Sequence, residues 1–79
     1  MDKSAVLNII EDMLKNATKV PGLFDLPKIM SMKSEVQACH SVKDVLAIVE
    51  SHRGVLAKVF GLTEDKIEQA VAKIKLLEG

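Results

Sequence analysis

Val6, Ile9, Ile10, Met13, Leu14 and Ala17 fall on one stripe of three-and-four spacing, and the same spacing returns in later stretches of the chain. That period matches the turn of an α-helix and not the two-residue alternation of a strand. An all-α chain is therefore expected, folded as a small irregular four-helix bundle in one domain, residues 1–79. Ser4 or Asp2 caps the first helix, expected over about 5–18, and Glu11 with Lys15 adds an i,i+4 ion pair. Ile29, Met32, Val36 and Cys39, with Met30 beside them, give a second helix over about 27–39, with Pro27 in its first turn. Ser41 caps a third, with Asp44 where a capping box wants an acid.

That third helix is the hardest to end. Gly54 after His52 and Arg53 offers a stop, but Val55 and Leu56 follow with no capping residue, while Val49, His52, Leu56, Val59 and Phe60 keep the helical register. One helix over about 42–60 is expected, bent or weakened at Gly54. Gly61 stops it, Thr63 caps a fourth over about 64–77, and Leu62 with Ile67 stand at the positions of a hydrophobic staple. Glu64 and Asp65 at its start, and Lys73 and Lys75 near its end, suit the helix dipole.

The segment KVPGLFDLP joins the first two helices, its Pro21 and Gly22 expected to end the first, and is apolar for a linker. Val20, Leu23 and Phe24 either plug the end of the core, the expected arrangement because large exposed patches are uncommon on monomers, or form an adhesive surface. In the second case Val20, Leu23, Phe24, Lys28 and Lys33 make the candidate partner surface. Between Lys15 and Lys43 five lysines face only Asp25 and Glu35, an excess of three cations that could dock an acidic partner.

Composition narrows the function classes. Phe24 and Phe60 are the only aromatic residues, so aliphatic side chains must fill the core. A chain of 79 residues that is 48% hydrophobic is short of burial on its own, which makes a homodimer a candidate. Eleven basic residues against eleven acidic give no net charge, so the usual electrostatic footprint of a nucleic-acid binder is missing. Cys39 has no partner for an internal disulfide, as expected in a reducing compartment, and cytoplasmic location is the default. The longest apolar run, VLAIV at 45–49, falls far short of the roughly twenty residues of a membrane span, so no membrane role is expected.

No catalytic motif is visible: there is no glycine-rich phosphate loop, nucleophile elbow or Ser-His-acid arrangement. Cys39 and His40 are adjacent and diverge by about 100° on a helix, which argues against a metal site built with Met30, Met32 and His52. Cys39 reads better as a small buried hydrophobe, and His52 as a partly buried residue of the third helix. Neither an enzyme nor a cofactor carrier is expected.

Ala57, Gly61 and Ile67, supported by Leu56, Phe60, Leu62 and Ala70, resemble the helix-turn-helix unit of bacterial repressors. The resemblance covers about a quarter of the chain and would imply a small DNA-binding regulator using residues 53–72, with Thr63, Lys66, Gln69 and Lys73 facing DNA. Groove-facing positions on the second helix of such a unit would be Thr63, Glu64, Asp65, Glu68, Gln69 and Ala72, and three of these are carboxylates. They would meet phosphate oxygens with like charge. A non-enzymatic protein-interaction module is the expected function, with the DNA-binding regulator as the alternative.

Overall fold

The computed structural model describes residues 1–20 and 22–78, and among these it is all-helical. Five helices follow one another: α1 (Lys3–Lys15), α2 (Leu26–Gln37), α3 (Val42–Ser51), α4 (Arg53–Lys58) and α5 (Glu64–Leu76). Three helix starts rest on side-chain caps. Asp2 accepts from the Ala5 amide, Ser41 from the Asp44 amide and Thr63 from the Lys66 amide, each satisfying a donor that the first turn leaves unpaired.

The stripes meet in one core. Val6, Ile10 and Met13 of α1 pack with Ile67, Ala70, Val71 and Ile74 of α5, while Met32 and Val36 of α2 join Val45 and Val49 of α3. Leu56 closes the same core from α4, with Phe60 and Leu62 buried at the corner that follows. Cys39 is buried as expected, its thiol donating to the Glu35 carbonyl oxygen at 3.2 Å.

The long third helix is corrected to two. The break falls at His52, not at Gly54, which sits inside α4 facing open space. His52 leaves helical geometry at φ −101°, ψ 3°, yet the Leu56 amide still bonds to its carbonyl oxygen at 3.0 Å. The helical ladder thus resumes at once, which explains why no cap was needed before Val55. Tertiary bonds hold the bend open: His52 Nε2 lies 2.9 Å from Glu35 Oε2 on α2, and Arg53 reaches α5.

A second correction concerns the first linker. Val20, Leu23 and Phe24 do not plug the core; they are 95%, 83% and 92% exposed. The end of the bundle is already filled by Phe60 and Leu62, and the backbone there is engaged elsewhere. The Thr18 and Lys19 amides both donate to the Phe60 carbonyl oxygen, at 2.9 and 3.2 Å, and the Thr18 hydroxyl donates to that of Gly61 at 2.8 Å. Pro21, expected to help end α1, lies outside the described residues. Glu11 pairs with Lys33 across helices and Lys15 with Asp12, in place of the expected Glu11–Lys15 pair.

Candidate functional site

The exposed loop is built, not frayed. Lys19 Nζ donates to the Lys58 carbonyl oxygen at 3.2 Å, completing a clamp of residues 18–19 onto the end of α4. Past the clamp, the Asp25 amide donates to the Gly22 carbonyl oxygen at 3.0 Å, and the Gly22 amide donates to Asp25 Oδ2 at 3.3 Å. These reciprocal bonds close a turn whose two middle residues are Leu23 and Phe24. Because the turn's polar groups bond inward to each other, the two middle side chains project into solvent. Asp25 also holds the start of α2, accepting from the Lys28 amide at 3.1 Å.

Apolar side chains are exposed on α2 as well. Ile29, Met32 and Val36 point into the core, and Met30, one residue round the helix and beside that stripe in the sequence, is 68% exposed. Leu26, one turn earlier, is half-exposed on the same side. Of the residues expected to form a partner surface, Leu23 and Phe24 are the middle pair of one turn, Val20 is exposed before it, and Lys28 Nζ lies 3.4 Å from Asp25 Oδ1 at its end. Lys33 is turned away to Glu11 on α1. Sequence reasoning missed Leu26 and Met30; their i,i+4 spacing opposite the buried stripe was the available signal.

The corner resembling a helix-turn-helix unit is packed as such corners are. Leu56, Phe60, Leu62, Ile67 and Ala70 are buried, and Gly61 adopts φ +65°, which L side chains rarely take. Ala57, expected at the small position between helices, faces solvent instead. The first helix of the unit is only six residues long.

The charges of that corner are spent on one another. Arg53 forms a fork with Glu50, its Nε 3.1 Å from Oε2 and its Nη2 2.7 Å from Oε1, and also reaches Glu64 at 2.7 Å and Glu68 at 2.6 Å. The Glu50 carboxyl is held below its ordinary range, first by the hydrogen bond from Arg53. Arg53 is raised in turn by its bonds to Glu50 and Glu68. Thr63 spends its hydroxyl on the α5 cap. Lys66, Gln69 and Lys73 line the seam between α5 and α1, around a shallow pocket of about 40 Å³ shared with Asp12 and Asn16.

Little else gathers chemistry. Burial pushes the Cys39 thiol up, with Asp44 adding to the shift. An open hollow of about 230 Å³ lies near Met1, Val42 and Leu77. Among the described residues, no three His, Cys, Asp or Glu side chains converge as metal ligands, and no helix is long and apolar enough to cross a membrane. No protein-family model, curated protein or solved structure matches the chain.

Proposed function

We propose that this chain is a non-enzymatic helical interaction module that binds a protein partner through the apolar surface running from Val20 through Phe24 to Met30. One observation carries the reading: the turn closed by Gly22 and Asp25 holds Leu23 and Phe24 almost fully in water, whereas Val6, Ile10, Val45, Leu56, Ile67 and Ile74 are fully buried in the core. Exposed apolar side chains on a backbone fixed beforehand bind at a smaller entropic cost than the same residues on a floppy loop. Action in the cytoplasm fits the same reading, supported by the lone buried thiol of Cys39.

The alternative, a DNA-binding regulator acting through the corner of α4 and α5, keeps support from the buried pattern of Leu56, Phe60, Ile67 and Ala70. Against it, Arg53 is held by three carboxylates, and Glu64, Asp65 and Glu68 remain on the face a groove would receive.

Phe24→Asp separates the two readings. Phe24 touches solvent, so the variant is expected to keep its helical circular dichroism and unfold within about 0.5 kcal/mol of the parent. Binding of a hydrophobic dye and retention of protein partners on an immobilised column are expected to fall sharply. Equal retention by both chains, together with salt-dependent binding of duplex DNA, would overturn the module.

A further inference from the structure

The break between α3 and α4 falls on a residue that does not itself break helices. Val45, Val49, His52, Leu56 and Val59 run through it at spacings of four, three, four and three, the stripe of one continuous helix. The His52 amide bonds back to the Ile48 carbonyl oxygen, and the Leu56 amide to that of His52, both at 3.2 Å or less. The helical ladder is therefore intact on either side of the bend. No side chain caps the start of α4, and its first amides have no acceptor within α4 itself. In a continuous helix those amides would bond to carbonyl oxygens at the end of α3.

Of the side-chain bonds at the bend, one depends on its being bent. Straightening turns His52 from φ −101° to about −63°, which swings its ring off Glu35 and breaks the 2.9 Å bond between α3 and α2. The bonds of Arg53 survive. Glu50 lies three residues before it on the same helix, and Glu64 and Glu68 travel with α4.

We propose that the bend is a hinge, and that straightening it exchanges α4 and α5 between two copies of the chain. In the reciprocal dimer, Ile67, Ala70, Val71 and Ile74 of each copy pack with Val6, Ile10 and Met13 of the other. The acceptor surface is the one that α5 already occupies within a single chain, so no new complementarity is required. The amides of Thr18 and Lys19 likewise donate to Phe60 of the other copy, as they do to Phe60 of their own. Each chain gives up the bond between His52 and Glu35 and gains the backbone bonds that close its long helix. Concentration opposes the exchange, because a short hinge holds α5 beside its own α1 at an effective concentration of roughly millimolar. The bent monomer is thus the dilute form, and exchange competes when chains refold together at high concentration.

The exchange uses no residue of the surface from Val20 to Met30, so its failure leaves the interaction-module reading in place. Its test is refolding from urea at about 1 µM and at about 1 mM chain, below and at that effective concentration. Sedimentation is expected to give 8.6 kDa from the dilute sample, and twice that value in part of the concentrated one. In a dimer refolded from mixed isotope-labelled and unlabelled chains, nuclear Overhauser contacts between α1 and α5 are expected across chains. Glu35→Ala removes a bond that only the monomer makes, twice per dimer, and is expected to raise the association constant about tenfold. Gly54→Pro is expected to abolish the dimer and keep the helical circular dichroism. Position 54 is second in α4, as Pro27 is second in α2, and an added Cβ there meets nothing within 4 Å. In a continuous helix the same position is interior, where proline removes an amide and clashes with the Glu50 carbonyl. A chain that refolds only to 8.6 kDa at both concentrations overturns the exchange, as does a dimer whose contacts between α1 and α5 stay within each chain. An unchanged dimer fraction in Glu35→Ala or in Gly54→Pro overturns the hinge.

Discussion

Gly61→Ala tests the corner where two constraints meet on one residue. The backbone sits at φ +65°, and a Cβ there would lie 2.2 Å from the Thr18 hydroxyl oxygen and 3.0 Å from Lys19 Cγ. Forcing an L side chain into the left-handed region costs about 1–2 kcal/mol. The Thr18 hydroxyl must also leave its 2.8 Å bond to the Gly61 carbonyl oxygen, at about 0.5–1.5 kcal/mol. A less flexible unfolded chain returns about 0.4–1 kcal/mol, so the net loss is about 2 kcal/mol. In a Thr18→Ala background the obstructing oxygen and its bond are already gone, and Gly61→Ala then costs only about 1 kcal/mol. Lys19, a flexible chain, swings aside in both backgrounds and cancels. The cycle should therefore show a coupling of about 1 kcal/mol. Urea titration followed by far-ultraviolet circular dichroism reads it, since the chain has no Trp or Tyr for fluorescence. With a slope of about 1 kcal/mol per molar urea, the single variant's midpoint falls by about 2 M. Additivity within about 0.3 kcal/mol would refute the clamp between residues 18 and 61.

Gly54→Ala should stabilise the protein by about 0.5–1 kcal/mol, because Gly54 lies within α4 and an added methyl meets nothing within 4 Å; a lowered melting temperature would contradict this. Ile67→Ala should cost about 3 kcal/mol in the same urea assay, since Ile67 of α5 is fully buried in the core, whereas a loss under 1 kcal/mol would mean that the core collapses around it. Glu50 titrates below its ordinary value of 4.5 when folded. Its contribution is accordingly complete at neutral pH and fades as pH falls below 4.5 through the folded value. Stability measured against pH should show a shallower acid decline in Arg53→Gln than in the parent, and parallel curves would count against the fork.

What local spacing can encode was legible. The apolar stripes, the caps at Asp2, Ser41 and Thr63, and the stop at Gly61 all depend on residues within one or two turns of each other. Features decided between helices were not. His52 bends the chain because Glu35 holds it from α2, and Glu11 leaves Lys15 because Lys33 reaches it from the neighbouring helix. The charge pattern of α5 looked like a free acidic rim until Arg53, eleven and fifteen residues before its partners, bound Glu64 and Glu68. The outward loop was hidden for a different reason. Hydrophobicity predicts burial, and here a backbone clamp to Phe60 overrides it.

That override bears on what the apolar surface is for. Three amide and hydroxyl donors fix residues 18 and 19 to the end of α4, and the Gly22–Asp25 bonds fix the turn beyond. If folding stability alone had shaped this linker, a Ser or Lys at position 24 would serve the same hydrogen bonds, since none involves the Phe24 side chain. Phe24 in water adds nothing to the fold's stability and exposes the chain to non-specific association. Leu23 and Phe24 thus stand in water on a turn whose polar groups are already bonded to one another. Such an arrangement gains free energy only when a second surface covers it.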